Sequence, residues 1–170
     1  MKDNRLSDIY LAGGCFWGPE HFLKLIKGVK NTEVGFATGR TANPSYRKVC
    51  DENTGHAETV HVSYNPEEVA LSKILELYFK TIDPTSVNRQ GGDTGNQYRT
   101  GIYYTKESDL SVIKNEINEL AKKYDKPIAI EVMPLQNFYP AEDYHQDYLE
   151  KNAGGYCHIS PELFELARKA

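Results

Sequence analysis

The apolar run Ile9-Tyr10-Leu11-Ala12 stops at Gly13 and Gly14, and just beyond Cys15-Phe16-Trp17-Gly18 the residues Pro19 and Glu20 open a helix-compatible segment. That succession constrains the chain more than any other, because it predicts a strand ending in a tight turn that runs directly into a helix. Proline belongs in a first helical turn, and an acidic residue there complements the helix dipole. Cys15 therefore stands at a helix N-terminus, where the positive end of the dipole favours the thiolate and lowers the thiol pKa. Two glycines permit the turn and leave room beside the sulfur, while Phe16 and Trp17 set two large rings next to it. Taken singly, Cys15 reads as a small buried residue. The whole stretch makes it a candidate nucleophile facing a small, partly apolar substrate group.

The rest of the composition narrows the class. At 170 residues the chain suits one domain, read as a core over about 7–150 and a mobile tail over about 151–170. A hydrophobic content of 39% with 26% charged residues describes an ordinary globule, and twelve Tyr supply many phenolic hydroxyls. A net charge of -4 offers no basic surface for nucleic acid or an anionic membrane. The first residues lack the apolar core of a secretory signal and no stretch is long enough to span a membrane, so a cytoplasmic protein is expected; a monomer is expected as well. Three Cys without a CxxC pair argue against a disulfide framework and against structural zinc.

Along the chain, strands are expected near residues 8–12, 29–36, 57–64, 98–104 and 128–133. In the third of these a period of two puts Glu58 in phase with Val60, Val62 and Tyr64, which turns a carboxyl toward the apolar side. Desolvation there raises a carboxyl pKa and would keep Glu58 protonated near neutral pH. His61 falls on the opposite face. Tyr98, in phase with Ile102 and Tyr104, is expected on the fourth strand with its hydroxyl facing the same interior. Asn65-Pro66-Glu67-Glu68 reads as a helix start with Asn65 as cap and Ser72 as a second candidate; Thr105 is expected to cap a helix striped by Leu110, Ile113, Ile117 and Leu120. The polar stretch 85–96 is expected to be a long loop, of a length that is commonly functional or disordered. A polar helical run through His145 and Tyr148 follows the last strand, with His145 read as a hydrogen-bonded packing residue. Gly154 and Gly155 make a mobile arm before Cys157.

Gly14-Cys15-Phe16-Trp17-Gly18 resembles the signature of the methionine sulfoxide reductase A family, which returns the S epimer of methionine sulfoxide to methionine. Tyr46-Arg47-Lys48-Val49-Cys50, Thr54-Gly55-His56-Ala57-Glu58, Asp93 through Arg99, and Tyr139 through His145 resemble further family segments in the family's order, covering the chain from about Leu11 to Cys157. The resemblance implies an α+β fold, a two-layer α/β sandwich whose mixed sheet has a ferredoxin-like (βαββαβ-type) core and a long coiled C-terminal tail. It implies Cys15 as nucleophile, Glu58 as acid, Tyr46 and Tyr98 as hydrogen-bond donors to the sulfoxide oxygen, and Asp93 in the same network. Phe16 and Trp17 would hold the S-methyl group. Beside a sulfenate-forming Cys15, Cys157 becomes the natural resolving thiol, since sulfenic acids condense with thiols to disulfides. Cys50 matches a family position not needed for turnover. No metal or other cofactor within the chain is implied, and an external dithiol such as thioredoxin would reduce the disulfide.

Three other classes compete. A cysteine hydrolase would pair Cys15 with His145 or His56, although no Gln or Asn stands near Cys15 to bind an oxyanion. A peroxide-reducing thiol enzyme would consume peroxide without any sulfoxide. A binding module for Met-containing peptides would keep its activity after Cys15→Ser.

Overall fold

The computed structural model describes residues 6–39, 45, 55–90, 93–142, 145–151, 159 and 161–169. Tyr46, Cys50 and Cys157 lie outside the described residues, as does the side chain of Asp93. In chain order the elements are β1 (Ser7–Ala12), α1 (Trp17–Lys24), β2 (Val29–Ala37), β3 (Ala57–Tyr64), α2 (Leu71–Phe79), β4 (Arg89–Gln90), β5 (Asp93–Thr94), a 3-10 turn (Asn96–Tyr98), β6 (Gly101–Tyr104), α3 (Glu107–Ala121), β7 (Glu131–Pro134), β8 (Phe138–Pro140), α4 (Tyr148–Lys151) and α5 (Pro161–Lys169). Helices and a mixed sheet make this an α+β fold.

Six strands form one sheet in the order β7-β6-β1-β3-β2-β8, antiparallel except for the parallel pair β6 and β7. The two central strands alternate as their sequence directs: Ile9 and Leu11 of β1, with Val60 and Val62 of β3, are buried under the helices. Ile74, Leu75 and Tyr78 of α2, Phe22 and Leu23 of α1, and Ile113 of α3 complete that core. Tyr10 and His61 point to the opposite side of the sheet, where their rings stack at 4.3 Å.

Both edge strands belong to one short stretch of chain, and this forces the sheet to curl. Four residue steps from Pro134 to Phe138 reach about 14 Å at most. In a flat six-stranded sheet the edges stand about 24 Å apart. Curling resolves the conflict, and it shows in the ring of Tyr10 on β1, which meets Phe138 of β8 edge-on at 5.1 Å although β3 and β2 intervene in the sheet. Tyr103, Met133 and Leu135 join the small cluster gathered in this concavity.

Several local expectations change. Asn65 caps a single turn, accepting the Glu67 N–H on Oδ1 at 2.9 Å, and α2 begins later at Leu71 behind Ala70. Ser72 is thus inside α2. Lys106, not Thr105, occupies the position before α3, without a side-chain cap. Tyr98 sits in the 3-10 turn ahead of β6, because the Tyr98 N–H is taken by Gly95 O at 3.0 Å and never enters the strand ladder. The stretch 85–96 is less of a loop than its composition suggests: Arg89–Gln90 pairs with Asp93–Thr94. Buried Gln90 fastens this hairpin by bonding both Asp83 N–H and Asp83 O. β7 begins at Glu131, and β8 has no counterpart among the expected strands. The coiled tail is corrected for residues 161–169, which form α5 with Ala167 buried and Phe164 packed edge-on against His21 of α1.

Candidate active site

The turn between β1 and α1 is built as its glycines require. Gly14 has φ +83°, a conformation glycine adopts without strain. A Cβ on Gly13 would stand 2.7 Å from Ile82 Cγ2, so the preceding position is closed to any larger residue. Tyr78, fully buried on α2, donates its hydroxyl to Ala12 O at 2.5 Å and braces the end of β1. Cys15 follows at 5% exposure, immediately before Phe16 at the helix cap.

Glu58 is where the strand period puts it. It is wholly buried on β3, and its Oε1 accepts the Phe16 N–H at 3.1 Å. A carboxyl oxygen is thereby bonded to the peptide that directly follows the cysteine. Tyr98 is half-buried in the 3-10 turn, which packs against β3, so a different backbone path still carries it to the Glu58 strand. Asp93 has its backbone in β5, opposite Gln90. Behind this corner, Arg99 bonds Glu131, Thr38 Oγ1 and Gly55 O, tying the approach to β6 to the entry of β3.

The aromatic wall is more elaborate than Phe16 and Trp17 alone. Phe16 is buried with its ring 5.7 Å from Phe36 and 5.5 Å from His145. Trp17 is half-buried, donates its indole N–H to His145 Nδ1 at 3.0 Å and stacks on Tyr148 at 3.8 Å. Burial lowers the His145 pKa, against the opposing field of Glu142, and because Nδ1 accepts the indole N–H the neutral ring carries its proton on Nε2. The reading of His145 as a hydrogen-bonded packing residue stands, and its partner is the indole itself. His56 is buried with its ring edge-on to Tyr139 at 5.8 Å. The helical run expected through His145 is broken by Asp147, whose φ is +55°, and Tyr148 begins the short helix α4 beyond it, a placement that the sequence pattern does not signal.

Glu20 is a second carboxyl that sequence reading placed only at the dipole. It is 1% exposed; Oε2 accepts the Thr32 hydroxyl at 3.1 Å and Oε1 accepts the Asp147 N–H at 2.8 Å. Burial raises its pKa most, opposed chiefly by the Asp147 N–H. Among the described residues no group of three or more His, Cys, Asp or Glu is arranged to hold a metal, and no helix is long and apolar enough to cross a membrane.

A cysteine at a helix N-terminus, a buried carboxyl bonded to the next peptide, and an aromatic wall beside both are the equipment of a thiol enzyme. The family model described as peptide methionine sulfoxide reductase matches residues 7–169. A peptide methionine sulfoxide reductase of Lachnoclostridium phytofermentans is 60% identical over 95% of this chain and 98% of its own length. The reduced form of Mxr1 from Saccharomyces cerevisiae superposes with a TM-score of 0.88 at 36% identity, covering 94% of this chain and 93% of that one. Mxr1 in complex with Trx2 is also similar, at TM-score 0.62 and 26% identity over 86% of this chain and 87% of that one. The chain belongs to the peptide methionine sulfoxide reductase family. It reduces methionine sulfoxide in a thiol-dependent reaction, which sets aside the hydrolase alternative.

Proposed function

We propose that Cys15 is the nucleophile of an S-epimer-specific reductase and Glu58 its acid. The observation that carries this reading is the bond from the Phe16 N–H to Glu58 Oε1, which sets a fully buried carboxyl next to the cysteine. Burial disfavours the ionised carboxyl. With Oε1 accepting the amide, the proton for transfer belongs on Oε2.

The Cys15 thiolate attacks the sulfoxide sulfur as Glu58 protonates its oxygen. Tyr46 and Tyr98 hydroxyls donate hydrogen bonds to that oxygen as it gains charge, with Asp93 in the same network. Phe16 and Trp17 enclose the S-methyl group. Collapse of the adduct transfers the oxygen to sulfur of the enzyme, leaving methionine and a Cys15 sulfenic acid. The Cys157 thiol displaces that hydroxyl as water, forming a Cys15–Cys157 disulfide, and an external dithiol returns both cysteines to thiols in exchange for its own two electrons. Thioredoxin is our candidate for that dithiol, supported by the likeness to Mxr1 solved with Trx2. The substrate is taken free and within proteins, for their repair after oxidation, by a single-domain, cytoplasmic monomer without resident metal or cofactor. The succession β1, α1, β2, β3, α2, β6 supports reading the core as ferredoxin-like, with β7, β8 and the C-terminal segment added to it.

Dithiothreitol-driven reduction of separated S and R epimers of a methionine sulfoxide peptide tests the reading, with Cys15→Ser and Cys157→Ser alongside. Only the S epimer should be converted and Cys15→Ser should be inert; with dithiothreitol left out, Cys157→Ser should complete one turnover and hold a sulfenic acid that a 1,3-dione traps. Conversion of the R epimer, or turnover by Cys15→Ser, overturns the assignment.

A further inference from the structure

The buried carboxyl of Glu20 has no place in the chemistry above, yet it lies on the same helix as Trp17, three residues on. Across from it runs the turn His145-Gln146-Asp147-Tyr148, whose four residues divide into two pairs. The outer pair holds the indole: His145 accepts its N–H and Tyr148 stacks on its face. The inner pair holds the scaffold. The Gln146 amide accepts from Val34 N–H at 2.9 Å and donates to Val34 O at 2.9 Å, imitating a strand residue against β2. Asp147 adopts φ +55° and donates its backbone N–H to Glu20 Oε1, while its side chain pairs with Lys24 one helical turn beyond Glu20. Glu20 is itself tied to β2 through the Thr32 hydroxyl.

We propose that Glu20 is a positioning residue for substrate binding: by gripping the Asp147 peptide it fixes the turn that sets the indole of Trp17 against the substrate methyl group. The proposal rests on the reading of Trp17 as part of the substrate wall. Glu20 touches no reacting atom. Its carboxyl determines where His145 and Tyr148 stand, and through them the tilt of the one ring in the wall that is anchored at both its edge and its face. Either protonation state of Glu20 accepts the Asp147 N–H, so Gln, with the same shape and a carbonyl oxygen, retains the grip, whereas Ala does not.

Trp17 is the only tryptophan of the chain, so intrinsic fluorescence reports its surroundings without any assay of activity. Glu20→Ala, Glu20→Gln and Trp17→Ala are compared with wild type in single-turnover reduction of an S-sulfoxide peptide, on samples that circular dichroism shows to be folded. Glu20→Ala is expected to red-shift the emission and open it to iodide. It should also raise the half-saturating peptide concentration about fivefold, the change that one hydrogen bond's worth of positioning produces, with the saturated rate kept. Glu20→Gln should restore both. If Trp17→Ala weakens binding while folded Glu20→Ala keeps wild-type emission and half-saturation, the role of Glu20 is refuted. If Trp17→Ala itself binds as wild type does, the wall reading fails first and this proposal falls with it. Should Glu20→Ala be unfolded, Glu20→Met, which fills the space but cannot accept the Asp147 N–H, takes its place: wild-type emission and half-saturation in that variant also refute the proposal.

Discussion

Two glutamates are buried against the first turn of α1, and their surroundings differ in kind. Glu58 comes from a central strand, reaches the peptide after Cys15 and stands in the corner proposed for the reaction. Glu20 comes from the helix itself, reaches a peptide across the surface and stands behind the aromatic wall. Each accepts a backbone N–H, and neither is exposed beyond 1%. What separates them is the element on the other end of the bond: the turn that carries Cys15 for Glu58, the distant turn 145–148 for Glu20.

Replacing each carboxyl by its amide should break the pair apart most sharply. Glu58→Gln keeps shape and loses the proton to give, so its single-turnover rate should fall by about 10²–10⁴-fold, the range of general-acid assistance, with Trp17 emission unchanged. Rapid-quench kinetics decide this, and a rate near that of wild type would remove Glu58 from the chemistry.

The second effect is on the pH dependence of stability. The Glu20 pKa is raised above its ordinary 4.5, so the unfolded chain gives up that proton first; the contribution present below about pH 4.5 is lost as pH rises through the native value. Urea unfolding of Glu20→Gln should therefore improve relative to wild type from pH 4.5 toward neutrality. His145 has the opposite slope. Its pKa lies below the ordinary 6.5, so its contribution is complete above 6.5 and lost as pH falls through the native value. His145→Gln should gain on wild type as the pH is lowered from 6.5. Parallel slopes in the two variants would overturn both assignments.

Smaller effects test the supports of Glu20. Thr32→Val deletes a hydroxyl that the carboxyl accepts from, and should destabilise by about 0.5–1.5 kcal/mol in denaturant titration. Lys24→Met removes an ion pair whose side chains are 22% and 43% exposed, and should cost less than about 1 kcal/mol, with the loss vanishing in high salt. A larger, salt-insensitive loss would mean that the side chain of Asp147, more than its peptide, carries the turn.

The legibility of these features in sequence followed their range. The Cys15 turn, the inward direction of Glu58 and the outward one of His61 rest on periods and glycine positions that act over a few residues, and all three could be read along the chain. Tyr98 shows the limit of the same reasoning: its phase with Ile102 and Tyr104 was sound arithmetic on a strand that begins only at Gly101. Asn65 and Thr105 carry good capping chemistry, but the packing of α2 and α3 set where those helices start.

Local stereochemistry in the sequence by itself determined a thiol at a helix N-terminus, a carboxyl on the core face of the neighbouring strand and an aromatic pair beside them. Only the tertiary structure decided that the sheet curls until Phe138 meets Tyr10, and that Glu20 is buried. It alone brought His145 and Tyr148 across more than a hundred residues to seat Trp17. Those outcomes depend on partners distant in sequence, whose meeting is set by the closing of the whole sheet and by the burial it makes available.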